Sequence, residues 1–150
     1  MSKIPKYWNS AKKYLSKKDK VMSHLIKKYS QPSEVTLTSR KDIFYSLCKS
    51  IIGQQISVAA ANSVFLKFKK KCNNKINAKS VYKLTTVQLK SCGLSRQKVK
   101  GIKSLAKQTL DKTFNPKIIP VMSDEEAIIY LSKLRQIGRW SAEMLSLIHI

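Results

Sequence analysis

Apolar residues recur along most of this chain at the spacing of one helix face. Ser39 is placed to cap a helix running through Ile52. Ile43, Phe44, Leu47, Cys48, Ile51 and Ile52 fall on one side of it, at i, i+3 and i+4. Gly53 breaks that pattern, and Gln54-Gln-Ile leads to Ser57, the N-cap of a second helix. This helix carries Ala61, Val64, Phe65 and Phe68 and ends in Lys67, Lys69, Lys70 and Lys71. Cations suit the negative end of a helix, and the small run Ala59–Ala61 allows close helix packing. Asn77 and Thr86 are candidate N-caps for two short helices, 78–84 and 87–92, and Gly93 fits the residue after the second. Ser95 caps a longer helix with Val99, Ile102, Leu105, Ala106 and Leu110 inward. Asn115-Pro and Ile119-Pro mark a loop. Ser123-Asp-Glu-Glu126 then reads as a capping box opening a helix whose buried stripe is Ala127, Ile128, Leu131 and Leu134.

Residues 1–30 are basic and amphipathic. Pro5 is placed to open a helix, with a break near Ser16. Tyr7, Trp8, Tyr14, Leu15, Met22, Leu25, Ile26 and Tyr29 are expected to pack inward, and Gln31-Pro-Ser is a linker. No period-two pattern persists, so the fold class is all-α, a multi-helix bundle. Its 150 residues suggest a single domain. At the far end Leu134-Arg-Gln-Ile-Gly-Arg-Trp-Ser-Ala-Glu-Met144 joins two helices, a helix-hairpin-helix arrangement near the C-terminus. Gly138 is expected to take φ > 0 there and let the chain reverse. The backbone N–H groups of such a turn, and the first ones of the next helix, lack helical partners and suit a phosphate. The last helix carries Trp140, Met144, Leu145, Leu147 and Ile148 up to Ile150 with no C-cap, which leads us to expect a longer parent protein.

Charge changes the picture most. There are 30 Lys and Arg against 8 acids, a net charge of +22, and no acid lies between Asp42 and Asp111. Self-repulsion on this scale points to a polyanionic partner, nucleic acid first, bound in a salt-dependent way. An AT-biased genome accounts for Lys over Arg but not for the missing acids. Arg96 and Lys98 sit in a helix first turn, unfavourable there unless a phosphate is bound. The three scattered cysteines, Cys48, Cys72 and Cys92, form no disulfide framework or zinc motif and read as small buried thiols in a reducing compartment. That implies the cytoplasm, near the nucleoid in a bacterium, or the nucleus in a eukaryote. No apolar run approaches membrane length, so no membrane partner is expected. A monomer is expected.

Three strings in one order then carry a resemblance: Ile51-Ile-Gly-Gln-Gln-Ile-Ser-Val-Ala-Ala60, Cys92-Gly-Leu-Ser-Arg-Gln-Lys-Val-Lys100, and Leu134-Arg-Gln-Ile-Gly-Arg-Trp-Ser-Ala142. From about Ile43 onward the chain resembles the helix-hairpin-helix DNA glycosylases, in particular the alkylation-repair branch of DNA-3-methyladenine glycosylase II (AlkA-type) enzymes. The resemblance implies an enzyme of base excision repair that everts a damaged base from duplex DNA and hydrolyses its N-glycosidic bond. It places Gln136, Ile137, Gly138, Arg139 and Ser141, together with Arg96 and Lys98, at DNA phosphates. It makes Gln55 the wedge that fills the gap and puts Trp140, Met144 and Gln54 at the base pocket. There an indole favours a cationic alkylated purine. Trp140 also occupies the position of the lyase branch's Schiff-base lysine, so the implied enzyme is a monofunctional hydrolase.

In such relatives an alkali cation on hairpin carbonyls assists the phosphate contact; no iron–sulfur cluster is evident, and no other cofactor is implied. The family's hairpin glycine is replaced here by Gln136. Its catalytic Asp is expected past Ile150, which leaves no catalytic residue within the chain and an inactive fragment. Glu143 is assigned instead to Arg139 or to solvent. The rivals are a non-enzymatic basic helix-hairpin-helix module on duplex DNA and a lysine-rich RNA-binding helical protein.

Overall fold

The structure, a computed structural model, describes residues 7–29 and 42–149, with helical side chains as far as 145. By its internal contacts the chain divides into two compact units, Met1–Ser39 and Arg40–Ile150. Pro5, the Gln31-Pro-Ser linker, Ser39 and Ile150 lie outside the described residues, as do the side chains of Leu147 and Ile148.

The first unit contains α1 (Trp8–Lys18) and α2 (Lys20–Tyr29), packed on each other. The break falls at Asp19 rather than near Ser16. The Asp19 carboxylate accepts the Val21 and Met22 N–H groups at 2.7 and 3.0 Å, and so caps α2 as it ends α1. No residue of α1 or α2 is buried, so Tyr7, Tyr14 and Tyr29 are exposed where inward packing was expected.

The second unit runs α3 (Ile43–Gly53), α4 (Val58–Lys71), α5 (Ala78–Lys83), α6 (Thr86–Ser91), α7 (Arg96–Leu110), a 3-10 turn (Pro116–Val121), α8 (Asp124–Ser132) and α9 (Arg139–His149). No strand occurs among the described residues. All six apolar residues expected on the α3 stripe are buried, and α3 touches α4, α7 and α9. It is the central rod of the unit. Asp42, not Ser39, caps it, its carboxylate accepting from Tyr45 N at 2.9 Å.

The N-caps Ser57, Asn77, Ser95 and Ser123 are as the sequence suggests. Thr85, not Thr86, caps α6, because Gln88 three residues on closes the box by accepting the Thr85 N–H at 2.8 Å. The proline-marked loop is a 3-10 turn, opened by Asn115 with Pro116 in its first position. Ala59 and Ala60 are exposed; of the three alanines only Ala61 faces the interior, near Gly53. Leu110 is largely exposed as well. Gly93, at φ +97°, is the left-handed residue that ends α6. The three cysteines are free and buried, and burial pushes the Cys72 thiol up to about 11.

Candidate nucleic-acid interface

α8 and α9 pack closely, and the chain between them turns over Lys133–Gly138. Leu134 and Ile137 are buried plugs, and Ile137 N–H donates to Leu134 O at 3.1 Å. Ile137 therefore has no free amide for a phosphate; its part is to anchor the turn. The left-handed residue is Gln136, at φ 70°, and not Gly138. Its side chain lies over Gly101 of α7, where a Cβ would meet Gln136 Cγ at 2.8 Å. The lack of a side chain at Gly101 thus makes room for a glutamine in the place of a glycine.

Gly138 is left without an internal reason to be glycine. Its φ is outside the left-handed region, it is exposed, and a Cβ there would meet nothing within 4 Å. It directly precedes α9, whose helical ladder begins with Ala142 N–H donating to Gly138 O at 3.0 Å. The amides of Gly138, Arg139, Trp140 and Ser141 precede that bond and have no helical acceptor. A bare backbone and a row of open donors meet at one exposed corner.

Two of the other expected phosphate contacts, Arg139 and Lys98, hydrogen-bond within the protein. Arg139 forms a two-pronged pair with Glu125 at 3.2 and 3.3 Å and donates to Glu143 at 2.9 Å, so its charge is matched by two carboxylates on the protein surface. This places Glu143 where it was expected, on Arg139. Lys98 Nζ donates to Ile52 O at 2.8 Å and Gln54 O at 2.7 Å. These two bonds cap the α3 end, and burial pulls the Lys98 pKa down. Arg96 is exposed on the first turn of α7. Ser141 is buried.

Gln54 and Gln55 form the turn between α3 and α4. The Gln54 side-chain amide donates to Gln136 O at 2.6 Å, which sets this turn beside the hairpin although 82 residues separate them. Gln55 is exposed at φ 56°. The Trp140 indole is 72% exposed, on the first turn of α9, and Met144 one turn on is half-buried. None of the expected site residues lines the hollow of about 460 Å³ over α4–α6, where Lys71, Lys75, Lys79 and Lys83 gather.

For an alkali cation, the hairpin oxygens Leu134 O, Gln136 O and Gly138 O each already accept a hydrogen bond, from Ile137 N, Gln54 Nε2 and Ala142 N. A cation would have to share them, and no step below runs through one. No group of three His, Cys, Asp or Glu side chains suited to a metal occurs among the described residues.

The family model described as HhH-GPD superfamily base excision DNA repair protein matches residues 48–145. The chain belongs to this superfamily. The match contains the Gln54–Gln55 turn, the α7 cap and the hairpin. The Schizosaccharomyces pombe alkylbase DNA glycosidase-like protein mag2 is 32% identical over 151 residues, covering 98% of this chain and 70% of its own length. The DNA-3-methyladenine glycosylase 1 of the same yeast is 28% identical over 140 residues, covering 88% of this chain and 59% of its own length. Among solved structures, the S. pombe 3-methyladenine DNA glycosylase Mag1 in complex with abasic DNA superposes with a TM-score of 0.79. It is 27% identical, over 91% of this chain and 68% of that one.

Proposed function

We propose that this superfamily member works in base excision repair, recognising alkylated, 3-methyladenine-type bases in duplex DNA in the manner of the AlkA-type branch. The reaction is hydrolysis: water attacks the sugar carbon, the N-glycosidic bond breaks, and the base departs with the bonding electrons. In this reading the N–H groups at the start of α9 hold a phosphate beside the lesion, Gln55 enters the stack, and the exposed Trp140 indole receives the cationic base. A compartment holding DNA follows from the same reading, nucleus or nucleoid.

The observation that carries the proposal is Gly138. A glycine that neither φ nor packing requires, at a corner with open backbone donors, suits a ligand that comes within touching distance of the main chain. Gly138→Asp tests it. Aspartate is a good N-cap, so the melting temperature should hold or rise, by about 0.5–1 kcal/mol of stability. The same carboxylate takes the open donors and repels phosphate, so duplex affinity should fall at least about 10-fold. Unchanged affinity in a fold of normal stability would remove the corner from the interface.

The acid that activates water is, in this proposal, not among the described residues. Asp19 and Asp42 cap helices, Asp111 holds Thr113, Glu126 closes the α8 cap, and Glu125 and Glu143 hold Arg139. Asp124 has a partner of its own. Residues 1–150 alone should release no base from alkylated DNA. Measurable release would mean that one of these acids serves twice or that Glu34, outside the described residues, supplies the group.

A further inference from the structure

Lys98 is the third residue of α7, at the positive end of its own helix, where a cation is disfavoured. Its ammonium reaches instead to the opposite pole of another helix. α3 ends at Gly53, and its last carbonyls have no helical donors. Two oxygens at that end, Ile52 O and Gln54 O, accept from Lys98 Nζ at 2.8 and 2.7 Å. Gln54 is thereby held twice, by its own carbonyl on Lys98 and by its side-chain amide on Gln136 O at 2.6 Å. The next residue, Gln55, is exposed and stands at φ 56°, a region that side-chain-bearing residues leave when nothing holds them.

We propose that Lys98 is a positioning residue for base eversion, fixing the left-handed Gln55 turn against the hairpin rather than binding a phosphate. Three elements meet in this arrangement: the end of α3, the first turn of α7 and the hairpin. The Lys98 ammonium joins the first two, and the Gln54 amide joins the turn to the third. A wedge can enter a base stack only if it is presented rigidly, at a set distance from the backbone contact. The Lys98 contacts supply that rigidity before DNA arrives. The inference rests on the wedge role given to Gln55 under the proposed function.

The test is Lys98→Met in the full chain, with melting temperature as the folding control. The probes are a duplex bearing a tetrahydrofuran abasic-site analogue beside 2-aminopurine, and the same duplex without the analogue. Affinity for the intact duplex, and its salt slope, should stay within about 2-fold of the parent. Preference for the abasic duplex should fall about 10-fold, the scale of lost charge-assisted hydrogen bonds. The 2-aminopurine signal at saturating protein should fall with it, which a loss of global stability well below melting would not produce. Equal losses on both duplexes, with a salt slope shallower by about one, would make Lys98 a phosphate contact and overturn the proposal. No loss on either duplex would overturn it too.

If Lys98→Met does not fold, acetylation of the parent chain decides. Lys98 should be protected equally with and without DNA, and protection only on DNA would overturn the proposal. A parent chain that binds duplex but shows no preference for the abasic analogue would instead sink the glycosylase reading beneath it.

Discussion

Two turns of this protein each put a glutamine in the left-handed region, with a glycine two residues away that does not take that role. In the α3–α4 turn it is Gln55, at φ 56°, beside Gly53; in the hairpin it is Gln136, at φ 70°, beside Gly138. Left-handed backbone costs an L-residue about 1–2 kcal/mol. The difference lies in what offsets it. Gln136 is half-buried, lies on Gly101 and lends its carbonyl to Gln54, so its conformation is held by the interior. Gln55 is exposed, and only its neighbour Gln54 is tied down. Strain that the interior secures is architecture. Strain presented to solvent on a secured base leaves the Gln55 side chain open to an outside partner.

The largest expected effect comes from breaking the secured turn. Gly101→Val should cost about 1–3 kcal/mol by overpacking against Gln136, read as a lower melting temperature. Adding Gln136→Gly should return at least half of that loss, and additive costs would deny that the two positions share a space. Gln55→Gly attacks the other turn. It should leave stability unchanged or raise it by up to about 1 kcal/mol, since glycine prefers that backbone. Preference for abasic over intact duplex should drop by about 10-fold, roughly 1.4 kcal/mol. A stability loss there would place Gln55 with Gln136, as architecture.

Smaller effects sharpen the contrast by touching neither turn directly. Ser123→Ala removes the cap at the start of α8 and should cost about 1 kcal/mol without altering duplex affinity. The smallest concerns Glu126, whose carboxyl is held below the ordinary glutamate range by the Ser123 hydroxyl and then by the Ser123 N–H. A depressed carboxylate adds stability above its unfolded value, near 4.3, and that stability is lost as pH falls through the lower folded value. In Ser123→Ala the Glu126 titration followed by NMR should move back up, and acid sensitivity over that window should diminish.

Much of the fold was legible because helix starts are local chemistry. Ser57, Asn77, Ser95 and Ser123 each accept from a backbone N–H three residues on, so a short window of sequence suffices. Thr85 and Thr86 differ only in whether a glutamine follows at the third position, and that signal was present though missed. The all-α class, the α3 stripe and the three buried thiols follow from periodicity in the same way.

The chain by itself thus determined most of the helix starts and the buried faces of the second unit, and its charge of +22 pointed to a polyanion. Each of these depends on residues within a turn or two, or on simple charge. Only the tertiary structure decided what the candidate site residues touch. Lys98 caps α3 across 46 and 44 residues of sequence, and Gln54 reaches Gln136 across 82. Arg139 is drawn to Glu125 across 14. A cation or an amide in a sequence carries no mark of its acceptor; packing chooses among carbonyl, carboxylate and phosphate by bringing one of them within hydrogen-bond reach.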